Sequence, residues 1–222
     1  MVRAIVFDLD GVLLDSEGVW DDVRRAFVAE TGGSWTDTAT LDMMGMSSSE
    51  WSRYLHDELH VPLPPEEISA RVAERVLERY ARELPLLPGA IETVHTFAAR
   101  WPLALASSSN RAVIERFLDG SGLRDCFAAT VSSEEVPRGK PAPDVYAHAV
   151  AQLGVDAREC VAVEDSTNGI RSALAAGLRV VAVPNAHFPP DPDVLARADV
   201  VVATLADVTP DLAEHAAGDV EQ

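Results

Sequence analysis

The chain opens on Val2-Arg3-Ala4-Ile5-Val6-Phe7-Asp8-Leu9-Asp10-Gly11, a short apolar run that ends on two carboxylates and a glycine. A run of this length and composition reads as a buried strand, and the polar cluster behind it as a strand end. Working outward, apolar runs of the same kind recur at 103–106, 127–131, 161–163 and 180–183, with a further one at 200–203. Helical patterns lie between them at 90–100, 111–118, 143–153 and 169–176. Gly89, Gly154 and Gly177 mark helix boundaries. Strands and helices alternating at these lengths predict an α/β fold, a doubly wound parallel sheet with helices on both faces.

One stretch breaks the alternation. From Ser16 to Glu83 the pattern is helical throughout, with Val19, Trp20, Val23 and Phe27 at helical spacing and Ile68, Val72, Val76 and Tyr80 repeating it. Asp15-Ser16-Glu17-Gly18 adjoins one end, and Pro85-Leu86-Leu87-Pro88-Gly89 the other. The expectation is therefore a catalytic core of residues 1–15 and 85–222, with residues 16–84 forming a small all-helical cap. That cap is inserted over the C-terminal end of the first strand.

Composition narrows the function. Among 222 residues there are 18 Lys and Arg against 36 Asp and Glu, a net charge of −18. Nucleic acid and anionic membranes both demand clustered positive charge, so neither is an expected partner. A phosphate site on such a protein needs its own local positive field, from a metal or a lysine. Cys126 and Cys160 form no CxxC pair, and no apolar stretch reaches the roughly 20 residues of a membrane span. A soluble, cytoplasmic monomer is the expectation.

Four polar clusters follow apolar runs or open helices: Asp8-Leu9-Asp10-Gly11, Ser107-Ser108-Ser109-Asn110, Gly139-Lys140-Pro141-Ala142-Pro143-Asp144 and Glu164-Asp165-Ser166. Singly, each reads as well as a turn, a helix cap or a solvated loop. In an open parallel sheet, however, all strand C-termini point to one edge, and ligands bind in the crevice there. Asp8, Asp10, Glu164 and Asp165 would then repel one another unless a cation sat among them. Oxygen donors without nearby His or Cys favour Mg²⁺ over zinc. A hydroxyl of Ser107 and the ammonium of Lys140 would complete a cradle for a phosphoryl group.

Taken in this order, Asp8-Leu9-Asp10-Gly11-Val12-Leu13-Leu14-Asp15-Ser16, Ala106-Ser107-Ser108-Ser109-Asn110, Gly139-Lys140-Pro141-Ala142-Pro143-Asp144 and Val163-Glu164-Asp165-Ser166-Thr167-Asn168-Gly169 closely resemble the haloacid dehalogenase superfamily. The likeness is to its helical-cap phosphatases and β-phosphoglucomutase-like members. That resemblance implies that Asp8 is a nucleophile forming an aspartyl phosphate and that Asp10 is the general acid and base. It implies Mg²⁺ on Asp8, the Asp10 backbone carbonyl and Asp165, with Glu164 a direct or water-mediated ligand. It further implies that Ser107, with Ser108 beside it, and Lys140 hold the transferring phosphoryl oxygens.

The presence of Asp10 points to phosphate esters, because an alkoxide leaving group needs a proton. Sugar phosphomutases of the group carry a cap histidine and a cap arginine. Trp20 and Ser48 stand at the corresponding positions here. Trp20, Ser47 and Ser48 become the candidate specificity residues, and Ser47 and Ser48 suit a hydroxyl-rich group but cannot neutralise a second phosphate. The reading is thus a phosphatase of a small phosphorylated metabolite such as a sugar or polyol phosphate, with a β-phosphoglucomutase-like mutase as the alternative. A receiver-like phosphosignalling or non-catalytic protein is more remote. His56 and His60, four apart, read as a solvated helix face. Trp20, Trp35 and Trp51 suit either the substrate side of the cap or its core.

Overall fold

The computed structural model describes residues 1–186 and 188–218. The first strand, β1 (Ala4–Phe7), is followed by four helices with no strand between them: α1 (Glu17–Thr31), α2 (Ala39–Asp42), α3 (Ser48–Asp57) and α4 (Pro65–Arg82). Alternation then resumes with α5 (Ala90–Ala98), β2 (Leu103–Ser107), α6 (Arg111–Ser121), β3 (Phe127–Ser132) and α7 (Asp144–Leu153). The chain continues through β4 (Cys160–Glu164), α8 (Thr167–Ala175), β5 (Arg179–Ala182), α9 (Pro192–Leu195), β6 (Val200–Val201) and α10 (Pro210–Gly218).

The six strands form one parallel sheet in the order β3-β2-β1-β4-β5-β6. Every residue of β1, β2 and β4 is buried, because helices cover both faces, and this is why these strands read as unbroken apolar runs. Alternate residues serve opposite layers. Ile5, Phe7, Leu103, Leu105, Val161 and Val163 join a core with α5, α6 and α10, whereas Ala4, Val6, Ala104, Ala106 and Ala162 pack on α7 and α8.

The register of the central strands places the site. Phe7 lies opposite Val163 and Leu105, so the next residue, Asp8, emerges beside Glu164 at the end of β4 and close to Ser107 at the end of β2. The chain leaves β1 for β2 on one side and returns to β4 on the other, which makes this edge the topological switch point.

Helices α1–α4 rest over that edge. The indole of Trp20 donates to Asp10, Asn110 donates to Ser69 in α4, and Asn168 donates to the Met44 carbonyl. Isolated bridges Asp10–Leu14 and Leu14–Leu86 draw together the two chain segments that enter and leave the helical layer. Within it, α3 begins with a capping box in which Ser47 and Glu50 satisfy each other's backbone donors. Among the described residues, no helix is long and apolar enough to cross a membrane.

Candidate active site

Gly11 and Gly169 permit the close approach on which the site depends. Gly11 has φ +80°, a conformation that side chains rarely adopt, and an added Cβ would overlap the Asp165 carboxylate. At Gly169, in the first turn of α8, a Cβ would overlap the carboxylate of Glu164. The strand-end acids therefore fold inward over glycines instead of pointing into solvent.

Lys140 is the centre of this arrangement. Its Nζ is buried, 2.7 Å from Asp8 Oδ1 and 2.6 Å from Glu164 Oε1, and lies 4.9 Å from the centre of the Tyr146 ring. Burial alone would lower its pKa, but Asp8 and Glu164 outweigh burial and raise it, so it stays an ammonium. The loop lysine of the sequence reading is thus a buried bridge between two strand ends.

Glu164 has no spare capacity. Oε1 accepts from Lys140 and from the Tyr146 hydroxyl at 3.0 Å, while Oε2 accepts from the backbone N–H groups of Asp165 and Ser166 at 2.9 and 3.1 Å. The Ser166 hydroxyl adds a further bond at 3.2 Å. In this geometry Glu164 anchors Lys140 and the start of α8, which leaves Asp165 better placed than Glu164 as a cation ligand. Asp165 Oδ2 is buried and has no hydrogen-bond partner, and carboxylate oxygens of Asp8, Glu164 and Asp165 lie within 4.8 Å of one another. An orphaned buried oxygen in a group of three acids fits a bound cation.

The electrostatics agree. Burial, with repulsion from Glu164 and Asp10 partly offset by Lys140, pushes the Asp8 carboxyl up to about 8. Burial, then Glu164 and Asp8, raises Asp165 well above the carboxylate range. Three buried carboxylates face one ammonium, and the excess negative charge favours either a proton or a metal.

Asp10 stands on the side of Asp8 that faces α1, with both oxygens occupied. Oδ1 accepts from the Ser16 hydroxyl at 2.6 Å and the Trp20 indole at 3.2 Å; Oδ2 accepts from Ser109 at 2.7 Å and Ser107 at 3.4 Å. Ser109 is the residue the motif reading overlooked in its own cluster. Ser107 is fully buried beneath Asp10, where it also accepts from the Ser109 N–H, whereas Ser108 and Ser109 line the cavity above Asp8.

The helical layer supplies the roof of that cavity through Glu17, Trp20, Arg24, Met43, Met46 and Trp51. Ser47 and Ser48 do not line it. Ser47 caps α3, and Ser48 borders a separate groove between α3, α4 and the loop after β3. Trp35 lies outside it too, under the guanidinium of Arg25. His56 bonds the Val61 carbonyl, and His60 falls beyond the end of α3 with φ +57°, so the two histidines do not share a helix face. Arg24, which the sequence reading did not single out, places a cation in this roof. The signal for Glu17 and Arg24 was present in their spacing from Trp20 at i, i+3 and i+7, but helical spacing alone does not say which stripe faces a cavity.

A family model described as haloacid dehalogenase-like hydrolase matches residues 2–177. The chain belongs to that family. This hydrolase is 36% identical over 214 residues to hexitol phosphatase B of Escherichia coli K12, covering 94% of this chain and 95% of the relative. It is 31% identical over 206 residues to a bifunctional riboflavin kinase/FMN phosphatase of Arabidopsis thaliana, where 92% of this chain spans only 54% of the longer protein. Among solved structures, CbbY of Rhodobacter sphaeroides in complex with phosphate superposes with a TM-score of 0.81 at 28% identity, over 93% of this chain and 96% of that one. Relatives that are themselves phosphatases identify the hydrolase as an enzyme of the phosphatase class.

Proposed function

We propose that this hydrolase is a Mg²⁺-dependent phosphatase of small sugar or polyol phosphates, working through an aspartyl phosphate on Asp8. The observation that carries the reading is the convergence at the β1/β4 edge. Asp8 is clamped by Lys140, an unpartnered Asp165 oxygen lies beside it, and Asp10 stands on the substrate side. Hexitol phosphatase B supports the substrate class. In this reading residues 16–84 act as a cap on a core of residues 1–15 and 85–222.

An Asp8 carboxylate oxygen forms a bond to phosphorus as the ester P–O bond breaks, and Asp10 delivers a proton to the departing alkoxide. Asp10 then takes a proton from the water that attacks the aspartyl phosphate, releasing phosphate and restoring Asp8. Ser16 and Ser109 orient Asp10 for both transfers. Lys140 and the cavity-facing serines after β2, Ser108 and Ser109, stabilise charge spread over the phosphoryl oxygens, with Ser107 beneath them supporting Asp10 and the Ser109 backbone. Asp8, Asp165 and the Asp10 carbonyl are the residues proposed to hold Mg²⁺, with Glu164 supporting them. The ion, when bound, supplies charge neutralisation between the nucleophile and the phosphoryl group.

Phosphate release from a panel of phosphorylated metabolites, with Mg²⁺ and with chelator, tests the reading. Hydrolysis that requires Mg²⁺ and favours polyol or sugar phosphates is expected. Conversion of glucose 1-phosphate to glucose 6-phosphate without phosphate release would replace it with the mutase.

A second expectation concerns pH. Asp8 ordinarily titrates near 3.8 and is pushed up to about 8 in the fold. Between those values the metal-free fold holds a proton that the unfolded chain releases, so its stability falls as pH rises through that window. Mg²⁺ competes with that proton. The gain in Tm on adding Mg²⁺ is expected to be larger at pH 8 than at pH 5.5; a gain that is flat or inverted with pH would contradict a cation bound at Asp8.

A further inference from the structure

Arg24 lies in the roof of the cavity, attracted by the charges of Glu17 and Asp10 but in direct contact with neither. Its guanidinium carbon lies 4.9 Å from the centre of the Trp20 ring and 4.8 Å from that of Trp51. Its Nε is buried without an acceptor, and among the described residues no hydrogen bond or ion pair reaches the guanidinium. Burial lowers its pKa only to about 10, so it remains charged at neutral pH. Glu17 lines the same cavity and likewise makes no hydrogen bond among the described residues. Burial, and then Asp10, push Glu17 up to about 7.

Glu17, Trp20 and Arg24 occupy i, i+3 and i+7 of α1, one stripe extending about 10 Å along the helix axis. Buried charged groups that make no hydrogen bond are costly to hold. The phosphoryl chemistry set out above uses neither of them.

We propose that Glu17 and Arg24 read the leaving group, and that this group is an uncharged chain bearing several hydroxyls. The proposal rests on the phosphatase reading and assigns its substrate recognition to two residues. A guanidinium only donates hydrogen bonds and a carboxylate only accepts them, whereas each hydroxyl does both. Hydroxyls spaced along a carbon chain therefore satisfy both ends of the stripe together. The flanking indoles hold the donor fork of Arg24 in place before substrate arrives. A second anionic group would suit Arg24 but would be brought against Glu17 and Asp10 in the same cavity.

The test compares D-glucitol 6-phosphate, n-hexyl phosphate and 6-phosphogluconate as substrates for the wild type, Arg24→Met, Arg24→Lys and Glu17→Gln, all with Mg²⁺. All three esters release a primary alkoxide that needs the same proton, so ratios of kcat/KM isolate recognition from chemistry. The wild type is expected to prefer the glucitol ester to both others by about 10-fold or more. Arg24→Met and Glu17→Gln should each lower the glucitol-to-hexyl ratio by about 10- to 100-fold, with Arg24→Lys intermediate. Glu17→Gln preserves shape, so it decides the matter if Arg24→Met fails to fold. An unchanged ratio in the folded variants would refute the assignment. A wild type that prefers 6-phosphogluconate, and loses that preference in Arg24→Met, would make Arg24 an anion site and overturn the uncharged leaving group. Failure of the wild type to hydrolyse any ester with Mg²⁺ would instead refute the phosphatase reading itself.

Discussion

Asp8→Asn is expected to remove phosphate release by roughly 10⁴-fold or more while leaving the sheet folded. An amide is a poor nucleophile toward phosphorus and cannot form the acyl phosphate on which the two-step route depends. Structure should survive, because the amide oxygen can still accept from Lys140, now 2.7 Å from the Asp8 carboxylate. The substitution also removes one of three buried carboxylates clustered around a single ammonium, so the metal-free variant should be at least as stable as the wild type near pH 8. Turnover, the mass increment of phosphorylated enzyme and thermal melting together check this. An Asp8→Asn enzyme with wild-type turnover would sink the mechanism.

Lys140→Met carries the second large effect, and it differs from the first by striking both activity and fold. Lys140 is only 2% exposed, and it bridges Asp8 and Glu164 from between two strand ends. Methionine fills similar space but leaves both acids buried without their cation, which costs about 3–5 kcal/mol. Phosphoryl oxygens would also lose their positive partner, worth a factor of about 10²–10³ in kcat. Denaturant unfolding and kinetics read the two effects separately. Mg²⁺ should restore part of the stability by neutralising the carboxylates, and little of the activity. Wild-type stability in metal-free Lys140→Met would show that the buried bridge is not what holds these strand ends together.

The sequence was most readable where physics is local. The runs at 103–106 and 161–163 appear as β2 (Leu103–Ser107) and β4 (Cys160–Glu164), each reaching into the polar cluster that follows. Both clusters continue the extended backbone for a residue because pairing with a neighbouring strand persists there. The run at 200–203 shortens to Val200–Val201, the two residues that pair with β5. Asp8, Asp10, Lys140 and Asp165 were legible because parallel strands deliver their C-termini to one edge.

The roles of neighbouring side chains were less legible, because direction is not periodic. Nothing in Ser107-Ser108-Ser109 says that Ser107 would lie beneath Asp10 and that Ser109 would bind it more closely, at 2.7 Å. Nor does the sequence around Glu164 show that Lys140, Tyr146 and two backbone N–H groups saturate it. In helices α1–α4 the gap is widest. Ser47 looked suited to substrate hydroxyls, yet a serine three residues before a glutamate also makes a helix cap, and capping is what it does.

By itself the sequence determined the doubly wound fold and the set of acids and the lysine that meet at the end of β1. Strand periodicity and parallel pairing leave those residues nowhere else to go. Only the tertiary structure decided that Lys140 lies buried between two carboxylates, that Asp165 keeps an oxygen without a partner, and that Glu17 and Arg24 face the cavity in place of Ser47 and Ser48. The physical reason is that helical spacing names a stripe but not what it faces. That depends on how a layer of four helices settles over the sheet edge, a packing outcome set by residues far apart in the chain.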